Sequence, residues 1–189
     1  MIIALSGTPG TGKTTVCGII SEHSQYRKQY HIIDLNKLIL NEKLYSGKDE
    51  ERDTYIADTD KLEMRVKEII RQLPQGMDVI MEGHFAHLLP AEAVIVLRAH
   101  PLALKKRLGK RKDYSFAKVK ENADAEALDV ILVESVQRCD KVFEINTTDM
   151  NPLAVVKSVV SIIGSLKQGK TPEEFLPGKI NWIEYVSGN

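Results

Sequence analysis

The sequence predicts an α/β fold in which a doubly wound, five-stranded parallel sheet is covered by helices on both faces. Three observations carry that prediction. Short β-branched runs alternate with amphipathic helical patterns, as expected when parallel strands are joined by helical crossovers. The first apolar run, Met1 to Leu5, leads straight into a glycine-rich turn and then into a helical repeat. A chain of 189 residues that is 43% hydrophobic can bury one good core but is too short for two ordinary catalytic domains.

The elements follow in order. Residues 1–6 read as a buried strand, and Val16, Ile19 and Ile20 recur at helical spacing after the turn. His31-Ile32-Ile33 is a second strand. An interruption over 35–59 follows it, containing Gly47 and the charged run Lys48-Asp49-Glu50-Glu51-Arg52-Asp53. Asp60 and Glu63 have capping-box spacing and open a helix with the stripe Leu62, Val66, Ile69, Ile70 and Leu73, ended by Pro74 and Gly76. Strands are expected at Asp78 to Met81 and Ala93 to Leu97. Pro101 starts a helix through Leu102, Leu104 and Leu108, a polar break covers 110–118, and Ser115 caps a helix expected to run to Gln137. The fifth strand is Lys141 to Ile145, residues 152–166 form the last helix, and the tail is rich in Gly and Pro. The expected organisation is one domain over 1–167 with an insertion near each polar break, and a tail over 168–189.

Composition narrows the partners. Lys plus Arg equals Asp plus Glu at 26 each, so no global field draws the chain to nucleic acid or to an anionic membrane. Cys17 and Cys139 stand far apart, outside any C-x-x-C pair, which argues against a disulfide framework or zinc site and for a reducing compartment. No run approaches the length of a membrane span, and the expected location is the cytoplasm.

Chemistry concentrates in Gly7-Thr8-Pro9-Gly10-Thr11-Gly12-Lys13-Thr14, which fits the G-x-x-x-x-G-K-[ST] phosphate-loop pattern at every fixed position. Gly10 and Gly12 let successive N–H groups turn toward phosphate oxygens at the positive end of the following helix. Lys13 supplies a point charge for the β and γ phosphates, and Thr14 offers its hydroxyl to Mg²⁺. Glu82-Gly83-His84 ends the third strand, so Glu82 faces the loop as a second metal group, with a solvent-facing charge as the plain alternative. His84 either orients an attacking water or acceptor or is simply packed. His87 is expected to border the Leu88-Leu89-Pro90 turn. Lys105, Lys106, Arg107, Lys110, Arg111 and Lys112 crowd together, and Arg107 and Arg111, four apart, read as a clamp on the transferring phosphoryl group. A solvated basic helix and RNA contact are the other readings of that cluster. Asn146-Thr147-Thr148 either borders the nucleotide base or forms a turn, while Trp182, Ile183 and Tyr185 dock on the core or on a partner.

Several stretches together resemble one family. They are the phosphate loop through Thr15, the run Glu42 to Glu51, Glu82-Gly83-His84, Val96-Leu97-Arg98, and the spaced set Arg107, Arg111, Tyr114, Asn122 and Glu126. The chain is similar over residues 1–150 to the adenylate kinase isoenzyme six family, atypical adenylate kinases that also hydrolyse ATP. The resemblance implies a P-loop NTPase fold with an acceptor-binding region near 35–58 and a lid near 110–120. It implies ATP contacts at Gly10, Gly12, Lys13, Thr14, Thr15 and Arg111, with AMP as acceptor. It also implies a role in small ribosomal subunit maturation beside a ribosomal protein of the subunit platform. Two departures stand out: Glu82 replaces the family's frequent Asp, and Leu40 stands where some members carry arginine.

Overall fold

The computed structural model describes residues 1–50, 54–112 and 114–187. Five strands, β1 (Ile2–Ser6), β2 (Tyr30–Asp34), β5 (Asp78–Glu82), β6 (Ala93–Arg98) and β7 (Val142–Asn146), form one parallel sheet in the order β2-β5-β1-β6-β7. All five predicted strands are therefore present. The chain order doubles back on either side of β1, so the ends of β1 and its neighbours open into the crevice where such sheets bind ligands.

Both faces are covered, and the strand residues divide between them. Ile3, Leu5, Ile95 and Phe143 pack against Val16 and Ile20 of α1 (Lys13–Glu22) and Val155, Val159 and Ile162 of α7 (Pro152–Lys167). On the opposite face Ala4, Met81, Val94 and Val96 meet Leu35 of α2 (Leu35–Glu42), Leu62 and Val66 of α3 (Thr59–Arg71), and Leu132 of α6 (Val130–Arg138). Alternating strand residues thus serve two cores.

The 35–59 stretch holds α2 and an antiparallel hairpin, β3 (Tyr45–Asp49) with β4 (Thr54–Ala57); residues 51–53 of its charged run lie outside the described residues. Asp34 caps α2 by accepting from the Lys37 N–H at 3.0 Å. The cap of α3 is Asp58, which accepts from the Lys61 N–H at 3.1 Å, and not Asp60. Asp58 has the extended backbone a cap needs, whereas Asp60 lies inside the first turn, where its charge favours the helix dipole.

Pro101 opens α4 (Pro101–Leu108) as expected, and Ser115 caps α5 (Phe116–Ala127). The helix expected to reach Gln137 breaks, because Asp129 takes a left-handed φ of 55° between α5 and α6. No glycine or proline marks the spot; the buried Arg98 guanidinium holds the Asp129 carboxylate there. The tail contains α8 (Ile183–Ser187) and docks on the core, with the Trp182 ring edge-on to His100 at 4.8 Å.

Candidate active site

β1 delivers the chain to the loop at Ser6. Gly7, at φ +135°, must be glycine, since a Cβ there would lie 2.3 Å from the Leu97 carbonyl oxygen of β6. Gly12 stands before α1 at φ 103°, and no side chain caps that helix, which leaves its positive end for an anion. Lys13 is buried and donates to the Gly7 carbonyl at 2.5 Å and the Thr8 carbonyl at 3.1 Å. Burial lowers its pKa to about 8, against the pull of Glu82 and Glu126. The ammonium is thus paired with the loop's own carbonyls.

Glu82 is next to Leu5 across one strand pairing and next to Asp34 across the other. Its Oε1 accepts from the Thr14 hydroxyl at 3.1 Å, which turns the hydroxyl hydrogen toward the carboxylate and leaves the oxygen's lone pairs for a cation. Burial, and then the Asp34 charge, push the Glu82 carboxyl above its usual range. A buried carboxylate beside another carboxylate and an oriented hydroxyl suits Mg²⁺. Among the described residues no group of three or more His, Cys, Asp or Glu side chains forms a metal cage.

A cleft of about 580 Å³ opens over these groups, lined by Lys13, Thr14, Glu82, His84, Arg111 and Lys118 among others. His84 lies at its rim, with its ring edge-on to Phe85 at 4.7 Å. Surrounding protein first, and then the Lys13 charge, lower the pKa of His84 to about 4, so its imidazole is neutral at ordinary pH. A second recess of about 320 Å³ adjoins the loop between Thr15 and Val16 on one side and Arg107, Thr147, Met150 and Pro152 on the other. Its size and mixed lining suit a nucleotide base.

The expected pairing of Arg107 with Arg111 does not occur. α4 ends at Leu108, so Arg111 lies beyond the helix and its guanidinium sits 5.7 Å from the Tyr114 ring, facing both recesses. Arg107 instead donates to the Gly10 carbonyl at 3.1 Å and to the carbonyls of Thr147 and Thr148 at 2.9 and 2.7 Å, fixing the loop against the end of β7. His87, expected at a turn, is buried, with Nδ1 2.8 Å from the Ser6 hydroxyl and Nε2 2.8 Å from Glu134. Gly10, Gly12, Lys13, Thr14, Glu82, His84 and Arg111 do come together, with Thr15 lining both recesses.

Sequence reading gave no role to the buried cluster behind the loop. Arg98 donates from Nε to Glu126 at 2.7 Å and from Nη1 to Glu144 at 3.1 Å, and Glu126 also accepts from the Thr8 hydroxyl. The available signal was an arginine ending an otherwise apolar strand, where a buried charge needs partners.

A nucleoside-polyphosphate site built on a glycine-rich loop, at the strand ends of a doubly wound sheet, defines the class: a P-loop protein with the kinase-like α/β fold. Within that class, residues 3–129 match the family described as an AAA domain, and the chain belongs to it. It is 46% identical to a protein named "Putative adenylate kinase" from Methanosarcina acetivorans, covering 98% of this chain and all of the relative. A protein of the same name from Methanocaldococcus jannaschii is 38% identical, covering 97% of this chain and 94% of the relative. Among solved structures, shikimate kinase from Bacteroides thetaiotaomicron superposes with a TM-score of 0.56 at 16% identity, covering 89% of this chain and 98% of that one. Deoxyadenosine kinase from M. mycoides does so at 0.54 and 15%, covering 88% and 100%. These two likenesses concern the fold. Among the described residues no helix is long and apolar enough to cross a membrane.

Proposed function

We propose that this P-loop nucleotide kinase moves the γ-phosphoryl group of Mg-ATP to AMP, with water as a second acceptor. The observation that carries the reading is the convergence of Lys13, Thr14, Glu82, His84 and Arg111, from separate stretches of chain, on one cleft. The names of the curated relatives support the choice of acceptor.

On nucleotide binding, Lys13 exchanges the Gly7 and Thr8 carbonyls for β and γ oxygens, and the loop amides take the remaining phosphate oxygens. Thr14 and Glu82 would hold Mg²⁺, which when bound would neutralise charge on the β and γ groups. Arg111 moves from its place beside the Tyr114 ring to the transferring phosphoryl group, where charge builds as the bond to the β–γ bridging oxygen breaks. An AMP phosphate oxygen is already anionic and attacks without losing a proton, giving two ADP. Water must be oriented and relieved of a proton, and neutral His84 at the rim would orient it.

A second reading has an observation of its own. Among the described residues the cations lining the cleft are Lys13, Arg111 and Lys118; Arg52 lies outside them. A cleft with few cations for an acceptor phosphate favours an ATP-gated assembly factor, acting in small ribosomal subunit maturation with a platform ribosomal protein, in which kinase activity is incidental. Product analysis tests both readings. ATP with AMP is expected to yield ADP in twice the amount of ATP consumed, and ATP alone to yield ADP and phosphate more slowly. Hydrolysis that AMP leaves unchanged, with no phosphorylation of AMP or another monophosphate, overturns the transferase reading and favours the assembly factor.

A further inference from the structure

The loop is held from behind by a carboxylate that the reaction does not use. Glu126, near the carboxyl end of α5, is buried and has both oxygens engaged: Oε2 accepts from the Thr8 hydroxyl at 2.5 Å, and Oε1 accepts from Arg98 Nε at 2.7 Å and the Ala99 N–H at 3.0 Å. The Thr8 carbonyl in turn accepts from Lys13 Nζ at 3.1 Å and from the Thr11 hydroxyl at 2.8 Å. Thr8 therefore links α5 to the lysine ammonium. The amino-terminal part of the same helix lines the cleft with Ala117, Lys118, Glu121 and Asn122. One helix thus faces the substrate cleft along its length and grips the phosphate loop near its end.

We infer that Glu126 is a positioning residue, which fixes Thr8, and through Thr8 the loop that carries Lys13, in register with the cleft-lining face of α5. Its own place is set by Arg98, which also donates to Asp129 and to Glu144 Oε2. The second oxygen of Glu144 accepts the N–H groups of Lys179 and Ile180 at 2.8 and 3.1 Å, so the carboxyl-terminal segment closes the same network. A hydroxyl bonded to a buried carboxylate is directional in a way that apolar packing is not. A loop without it keeps its fold but loses the placement on which phosphoryl transfer depends, and small misplacements are costly there.

The inference rests on the nucleotide reading above, so the wild-type chain is first tested for binding of a fluorescent ATP analogue with Mg²⁺. Thr8→Val then keeps the side chain's shape and deletes the hydroxyl, whereas Thr8→Ser keeps the hydroxyl. The expected result is a kcat about tenfold to a hundredfold lower in the Val variant, with a smaller change in KM, and a Ser variant within about threefold of wild type. Amide hydrogen exchange over residues 7–12 quickens in the Val variant while the central strands stay protected. Glu126→Gln, assayed below its melting temperature, is expected to show the same kcat loss and loop exchange. A wild-type chain that binds no analogue overturns the functional reading and the inference with it. If wild type binds and the Val variant keeps its turnover per folded molecule, or the Ser variant falls as far as the Val variant, the inference alone is overturned.

Discussion

The floor of the cleft and its rim are built by opposite means. On the floor, Lys13 is 7% exposed, Thr8 and Glu126 3% each and Glu82 2%, and each is held by hydrogen bonds to other elements. At the rim His84, Arg111 and Ser115 are exposed, and Arg111 rests on a neighbouring tyrosine. A floor organised before substrate arrives needs little reorganisation during reaction, which is how fixed charges stabilise a transition state most effectively. On the proposed reading, the rim would take its working geometry around bound nucleotide. The contrast orders the expected effects of mutation.

The largest effect belongs to the floor. Lys13→Ala is expected to lower both phosphoryl transfer and ATP hydrolysis by about a thousandfold or more. It should cost little stability, because it removes a desolvated charge along with its bonds to two loop carbonyls. Steady-state turnover and thermal melting measured together check this. Turnover near the wild-type rate would break the assignment of the floor.

At the rim, Arg111→Ala is expected to lower kcat by about a hundredfold, with a smaller change in ATP affinity, since on the proposed reading it leaves the Tyr114 ring to meet charge that develops on the phosphoryl group. A loss of affinity at constant kcat would make Arg111 a ground-state contact and erase the distinction between floor and rim. A smaller effect is expected from His84→Ala. Hydrolysis should fall by about tenfold or more while AMP phosphorylation falls less, because only water has a proton to lose. Its exposed ring should leave the melting temperature almost unchanged.

The sequence revealed most where local pattern decides structure. The five strands and the phosphate loop were legible because β-branched runs and fixed glycine spacing need no knowledge of distant contacts. The floor's support was not legible. Arg98 meets Glu126 and Glu144 at separations of 28 and 46 residues, and no periodicity encodes such a meeting. The same network explains the break at Asp129, where a tertiary ion pair selects a left-handed backbone that helix propensity disfavours. Arg107 shows the converse error. Spacing of four placed it beside Arg111 on a helix, but the helix stops between them, and Arg107 became a brace between the loop and β7.

The smallest effect, and the one that draws the line between floor and rim most finely, concerns His87. It lies three residues beyond His84 but is buried, between the Ser6 hydroxyl and Glu134. Ser6 has one hydrogen and two claimants, His87 Nδ1 at 2.8 Å and the His84 carbonyl at 3.1 Å. A neutral His87 accepts that hydrogen on Nδ1 and donates Nε2–H to Glu134. Burial lowers its pKa, with the Glu134 hydrogen bond and charge opposing. The sign follows from proton counting. Below the unfolded value of about 6.5 and above the lowered folded value, the unfolded chain binds more protons, so stability falls as pH falls through that window. This contribution favours a lower melting temperature at pH 5 than at pH 7 in the wild-type chain. His87→Gln removes one titrating group and should flatten the slope without abolishing it. If the slope instead steepens in that variant, His87 is charged in the folded state and paired with Glu134. The Ser6 hydrogen then belongs to the His84 carbonyl, and the buried support of the floor extends one residue further into the rim.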